Sequence, residues 1–254
     1  MTAPSPIPRR LQIYGERCSG TNWLAQLLRR NLPDLVHGDE LGWKHGWVYG
    51  DVEHADDCLF LVLHRDPFDW LRSLQQMPWH TGPELHGAPF SRFVRTPWRC
   101  VWGADMELPA DDPRLGTEMM HERDPATGQP FGNAMRLRTA KMRAWQQLRQ
   151  RVRHYECVRY EVVQRDPRAF VRELATRFGL RRWPWFRDVT TFKGGSATFR
   201  PKVYEPIAAV DLQWIGEELD HALEAAHGFD IPARIAELMP RRASSSGAGE
   251  VGTV

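Results

Sequence analysis

The chain has 254 residues, 42% of them apolar and 26% charged, with a net charge of +2. The apolar share supports a packed core and excludes disorder as the default state, while the near-zero charge gives no electrostatic case for a dedicated nucleic-acid binder. Almost all of the 34 basic residues are arginine; its planar fork suits phosphate, sulfate and carboxylate, although a codon bias toward arginine gives the same excess.

Residues 1–9 read as a Pro-rich flexible lead-in without the apolar stretch of a secretory signal. A first strand is expected at about Leu11 to Tyr14, then a helix from about Thr21 to Asn31, stopped by Pro33. A short apolar segment follows at about Leu41 to Val48. Cys58 to Leu63 is continuous, apolar and partly β-branched, the pattern of a strand covered on both faces. Pro67 suits the first position of a helix running to about Gln76. Residues 77–131 hold many Pro, Gly and Trp residues and little periodicity; a stretch of that length without clear elements points to function.

From Asn133 to Arg153 a helix is expected, with Leu137, Ala140, Ala144, Trp145 and Leu148 on one stripe. Cys157 to Tyr160 reads as a third strand. Asp166 and Pro167 start an amphipathic helix with Phe170, Val171, Leu174 and Phe178 on one face and Gly179 as its stop. A last helix is expected from about Val210 to His227. Strands alternating with helices predict an α/β fold, a parallel sheet flanked by helices. The expected organisation is a flexible terminus at 1–9, one α/β domain at 10–239 with an irregular Trp-rich insert, and a disordered small-residue tail at 240–254. The longest purely apolar run, Leu59 to Leu63, is too short to span a bilayer. Cys18, Cys58, Cys100 and Cys157 form no C-x-x-C pair and show no metal-ligand spacing; free thiols in a reducing, cytoplasmic setting fit them best, with no metal expected.

Two segments carry chemistry. Residues 15–22 read G-E-R-C-S-G-T-N between the first strand and the first helix. The form resembles a phosphate loop, but the nucleotide-triphosphate version needs a Lys after its second Gly, and here that residue is Thr21. Unpaired N–H groups and the helix dipole would still face an anion there, and Ser19, Thr21 and Asn22 add short polar side chains. A plain strand–helix turn fits the octapeptide equally well. In the second segment Arg65 ends a buried strand, where ligands of open α/β sheets bind. Ser73 stands eight residues on, about two turns into the next helix. Alone, this pair reads equally as surface residues, with Arg65 paired to Asp66 or Asp69.

Taken together the segments resemble the sulfotransferases that use 3′-phosphoadenosine 5′-phosphosulfate (PAPS). In that family a P-K-S-G-T-T-W loop cradles the 5′-phosphosulfate; here Arg17, Cys18, Ser19, Gly20, Thr21, Asn22 and Trp23 stand in its place. An Arg at a strand end and a Ser eight residues later hold the 3′-phosphate, and Arg65 and Ser73 match that spacing. Lys193 and Gly194, in F-K-G-G, are similar to the family's late basic loop. Tyr160 and Glu161, followed by Asp166 and Pro167, are similar to its Y-E and D-P segment. The resemblance touches four points between residues 11 and about 203 and leaves residues 77–131 and the tail uncovered.

It implies a P-loop-type fold and metal-independent transfer of a sulfuryl group from PAPS to a hydroxyl or amine of a carbohydrate or small-molecule acceptor. It also exposes a departure, because the family's loop lysine aligns with Cys18. Arg17, one residue early, or Lys44 is the expected substitute. Lys44 and His45 resemble the Lys and the base that follow the first helix in this superfamily, which makes His45 the expected general base; an adjacent pair can face one site only on irregular backbone, which Gly42 and Gly46 permit. A structural His between two Trp residues is the competing account of His45, and Glu16 and Glu40 are fallback bases.

Arg136, Arg138 and Lys141 read best as a solvated helix face. Arg200 and Lys202 are further candidates for the 3′-phosphate or the sulfuryl end, and Asp66 is expected to cap its helix. Two other functions remain open: a P-loop kinase or nucleotide hydrolase, which would depend on Mg²⁺, and a non-catalytic nucleotide-binding module, which would bind without turnover.

Overall fold

Both faces of the central strand are buried, and that fixes the layering. The computed structural model describes residues 6–50, 52–103, 106, 108–191, 198 and 202–240. Within them β1 (Arg10–Gly15), β2 (Val36–His37), β3 (Cys58–His64) and β4 (His154–Arg159) form a four-stranded sheet in the order β2-β1-β3-β4, every pair parallel. All seven residues of β3 are buried. Its side chains alternate between two cores, as a period of two requires. Leu59, Leu61 and Leu63 join Leu11 and Ile13 of β1 in one; Cys58, Phe60 and Val62 join Tyr14 in the other.

Helices cover both faces. On the first lie α1 (Thr21–Asn31) and α6 (Pro167–Phe178), contributing Leu24, Leu27 and Leu28, and Val171 and Leu174. On the second lies α4 (Ala134–Arg151), which sets Trp145 and Leu148 against Phe60 and Val62. A third cluster joins α2 (Pro67–Gln76) to α3 (Phe90–Arg95), α7 (Ala209–Glu218) and the irregular 77–131 segment through Trp70, Leu71, Phe93, Trp98, Leu212 and Ile215. The expected α/β class with a parallel sheet is therefore observed. Among the described residues no helix is long and apolar enough to cross a membrane.

Local chemistry sets the boundaries. α2, α4 and α6 start where Asp66, Asn133 and Asp166 accept backbone N–H bonds of the first turn, and α6 stops at Gly179 in the left-handed region with φ 66°. The short apolar segment at Leu41–Val48 is a set of turns, and the second strand is the Val36–His37 pair, which the sequence did not signal. Two expectations change. The helix expected over 210–227 is two, α7 and α8 (His221–Ala226), because Asp220 caps a new start by accepting from Leu223 N. The expected third strand starts earlier and stops at Arg159, and Tyr160 opens a short helix, α5 (Tyr160–Arg165). A further helix, α9 (Ile231–Leu238), is capped by Asp230, which accepts from Ala233 N, and carries Pro232 in its first turn.

Candidate functional site

β1 ends at Gly15, and the chain turns over Glu16 to Gly20 into α1. Cys18 has φ 61° and Gly20 φ 99°, both left-handed. Gly20 is close to obligatory, since a Cβ there would lie 2.6 Å from the Tyr160 ring. A Cβ at Gly15 would meet the Leu63 carbonyl at 2.7 Å. The N-cap residue of α1, Gly20, offers no side chain to cap it. The Ser19 hydroxyl turns inward, donating to the Glu16 carbonyl at 2.7 Å. The first-turn amides of α1 therefore keep their donors outward, with the positive end of the helix dipole behind them.

Lys44 and His45 reach this turn from one side. Gly42 at φ 123° and a Gly46 N to Trp43 O bond of 2.8 Å make the backbone here irregular, so the adjacent residues both face the loop. Lys44 Nζ donates to Asn22 Oδ1 at 2.6 Å. His45 Nδ1 lies 2.6 Å from the Gly15 carbonyl. A carbonyl oxygen only accepts, so Nδ1 carries the proton and Nε2 carries the lone pair. Burial, with help from the Arg17 charge, moves the His45 pKa well below its ordinary value despite the bond to Gly15. The ring is neutral at pH 7, the state a general base needs. Trp43 stands edge-on to it at 5.4 Å. Of the fallback bases, Glu16 is buried, facing His64 at 3.7 Å and Arg138 at 3.5 Å, and Glu40 is exposed beside Arg10.

Arg65, Ser73 and Tyr160 close the other side. Arg65 follows the last residue of β3 and donates to the Cys18 carbonyl at 2.9 Å. Its guanidinium sits 5.1 Å over the Tyr160 ring, and its buried Nε lacks a hydrogen-bond partner. The surface pairing with Asp66 or Asp69 is not found: Arg234 bonds Asp66, and Arg72 bonds Asp69. Asp66 caps α2 through Phe68 N and Asp69 N, as expected. The Cys18 thiol donates to the Met77 carbonyl at 3.6 Å, with Ser73 beside it; burial raises the thiol's pKa against the pull of Ser73 and of the Arg65 charge, so the sulfur is neutral. Trp23 packs edge-on to Tyr160 at 5.6 Å. The Glu161 carboxylate accepts from Asp66 N at 2.8 Å, which ties α5 to the start of α2. Lys202 reaches Gln76, near the end of α2, at 3.0 Å. Lys193, Gly194 and Arg200 lie outside the described residues.

Arg17 departs from its expected role. Its guanidinium is buried, bonds both Glu122 oxygens at 2.8 and 2.7 Å and touches Cys100 Sγ at 3.1 Å. Its charge is committed beneath the loop, and Lys44 is the cation that faces the loop's polar side chains. The solvated face expected of α4 is also corrected. Arg136 is exposed and paired with Glu218, but Arg138 and Lys141 are fully buried. Arg138 binds Glu224 at 2.6 Å and the Arg65 carbonyl at 3.0 Å. Lys141 binds Glu122 and the His45 carbonyl. Three residues apart on one helix face, the two cations pin the backbone of the two chief candidate residues from below.

Glu122 had no signal of its own, being one carboxylate in an unpatterned stretch. It accepts from Arg17, Lys141, Trp98 Nε1 at 2.9 Å and the Cys100 thiol at 2.5 Å. Burial alone would raise its carboxyl; Arg17 and Lys141 overcome this and hold it well below the usual carboxylate range. Burial lowers the Lys141 pKa, partly offset by Glu122. Arg17 and Lys141 share Glu122 beneath the loop, while the Glu16 carboxylate of the loop itself faces Arg138 and His64. The chain matches no family model, no curated protein and no solved structure.

Proposed function

We propose that the protein is a PAPS-dependent sulfotransferase acting on a hydroxyl or amine of a carbohydrate or small molecule. The observation that carries this reading is convergence on the uncapped start of α1: His45 and Lys44 from one side, Arg65, Ser73 and Tyr160 from the other. The donor set fits a ligand with two phosphate ends. The first-turn amides of α1, with Asn22 and Lys44, suit the phosphosulfate. Arg65, whose buried Nε has no partner, suits the second phosphate with Ser73.

Bound there, the cofactor supplies the sulfuryl group and its phosphate leaving group. His45 Nε2 takes the proton of the attacking hydroxyl or amine, while Nδ1 stays held by the Gly15 carbonyl. Lys44 and the α1 amides stabilise charge on the phosphate side. Arg65 fixes the far end of the ligand and takes no part in bond making. The neutral Cys18 thiol leaves the loop without the negative charge a thiolate would bring to a phosphate site.

Calorimetric titration with 3′-phosphoadenosine 5′-phosphate, without magnesium, tests the reading. Micromolar binding is expected, with Arg65→Ala weakening it by roughly ten- to a hundredfold, as loss of a charge-assisted hydrogen bond of about 1.5–3 kcal/mol implies. Absence of binding, or magnesium-dependent binding of ATP in its place, would overturn it in favour of a kinase or hydrolase. Binding without turnover on any carbohydrate or small-molecule acceptor would leave a nucleotide-binding module.

A further inference from the structure

A second cluster lies on the α4 face of the sheet and plays no part in the chemistry above. His64 is the last residue of β3, Cys157 is on β4, and His227 directly follows α8. One ring nitrogen from each histidine and the Cys157 sulfur all lie within 4.8 Å of one another. The two rings meet edge-on with centroids 4.7 Å apart. His64 is buried, and among the described residues neither of its ring nitrogens has a partner at hydrogen-bond geometry, only the nearby Cys157 and Glu16, a state that native interiors rarely leave standing.

The rings are oriented from behind. His227 Nδ1 bonds the Leu223 carbonyl at 2.8 Å, so Nδ1 carries the proton and Nε2 the lone pair. His64 Nδ1 faces the Glu16 carboxylate at 3.7 Å, and a metal would take its Nε2 in exchange for the proton there. A carbonyl behind one histidine and a carboxylate behind the other is the arrangement that prepares imidazoles to bind a metal. Cys157 and His227 also line a surface cleft of about 500 Å³, together with Tyr155, Arg159 and Gly228, which gives an ion a route in.

We infer that His64, Cys157 and His227 form a site for a thiophilic metal ion, Zn²⁺ in the first instance. One thiolate and two imidazoles are ligands for zinc or copper and poor ones for Mg²⁺ or Ca²⁺. Three protein ligands leave a fourth tetrahedral position, on the cleft side, for water or another donor. A bound zinc needs donor atoms roughly 3.5 Å apart, so side-chain rotations of about 1 Å complete the site. Binding displaces to solvent the proton held within the Cys157–His64 pair. The site is independent of sulfuryl transfer. Spacing along the chain did not reveal it, because its ligands come from three distant elements and meet only through the parallel pairing of β3 with β4 and the return of α8.

Cobalt serves as the spectroscopic probe. Adding Co²⁺ to the full-length protein is expected to give one equivalent of tetrahedral cobalt with a thiolate-to-metal charge-transfer band, which one equivalent of Zn²⁺ then abolishes. Cys157→Ser and His227→Ala should each lose the band, and Cys58→Ser, at the far end of β3, should keep it. In the unmodified protein, one equivalent of Zn²⁺ should also slow alkylation of Cys157, mapped by mass spectrometry. That readout needs no variant to fold. Six-coordinate cobalt, a band that survives Cys157→Ser, or an alkylation rate that Zn²⁺ leaves unchanged would overturn the site.

Discussion

The chain passes twice from a buried parallel strand through a turn into a helix, and it finishes the two turns in opposite ways. At β3–α2 the side chain of Asp66 accepts the amides of Phe68 and Asp69, Pro67 removes one more donor, and Glu161 accepts the Asp66 amide. That turn satisfies itself. At β1–α1 the cap position is Gly20, no side chain caps the helix, and the Ser19 hydroxyl is spent on Glu16. Positive charge is also placed differently. Under β1–α1, Arg17 and Lys141 share Glu122, whereas Arg138, whose guanidinium bonds the Arg65 carbonyl, lies between Glu224 and Glu16 of the first turn. The first turn leaves its amides without a side-chain acceptor, as the proposed anion site requires, and the second satisfies its own amides while holding Arg65 in place.

The largest expected effect comes from removing the carboxylate under the first turn. Glu122→Gln leaves Arg17 and Lys141 buried without their partner, at a cost of about 3–5 kcal/mol measured by denaturant unfolding at pH 7. The pH dependence has a definite sign. The folded Glu122 carboxyl titrates below its unfolded value, so its contribution is complete above about pH 4.3 and fades as pH falls from there. The gap between the native protein and Glu122→Gln should therefore narrow in acid. A gap that stays constant from pH 7 down to the onset of acid unfolding would show that Glu122 acts as packing and not as charge.

Next in size is Gly20→Ala. The left-handed backbone costs a Cβ about 1–2 kcal/mol, and here the Cβ also meets Tyr160, the platform under Arg65. Gly116→Ala separates the two effects, since φ is 77° there but no atom lies within 4 Å. Gly20→Ala should lose more stability than this control and should also weaken binding of the bisphosphate about tenfold or more. Equal losses in the two variants, with binding intact, would mean that the close fit of Gly20 to Tyr160 has no bearing on the ligand.

These residues also mark where sequence reading works and where it stops. α1 and α2 are legible to the residue, because Pro67, Asp66 and the leucine spacing act locally. The double burial of β3 is legible in its unbroken apolar run. Arg138 and Lys141 are misread, because a basic helix face reads as solvated until Glu16, Glu122 and Glu224 arrive from distant chain segments. Arg17 is misplaced for the same reason. Its neighbours in sequence belong to the loop, and its partner stands 105 positions away. The split between α7 and α8 is a smaller failure, since Asp220 is a local cap whose signal the apolar spacing masks.

The smallest expected effect tests the second turn directly. Asp66→Ala removes the cap of α2 and should cost about 1 kcal/mol, a fall of roughly 2–4 °C in Tm for a domain of this size. Asp66 also meets Arg234 at 3.0 Å, so charge and capping need separating. Burial raises the Asp66 carboxyl pKa, against the pull of its amide bonds and of Arg234, which marks the ionised group as poorly solvated. Asp66→Asn keeps an acceptor for Phe68 N and Asp69 N and should recover most of the lost stability. Neither variant should change affinity for 3′-phosphoadenosine 5′-phosphate by more than roughly twofold, because a turn that satisfies its own amides has none to offer a ligand. A tenfold loss in Asp66→Ala, with Asp66→Asn unaffected, would place the ligand's anion at the start of α2 and reverse the assignment of the two turns.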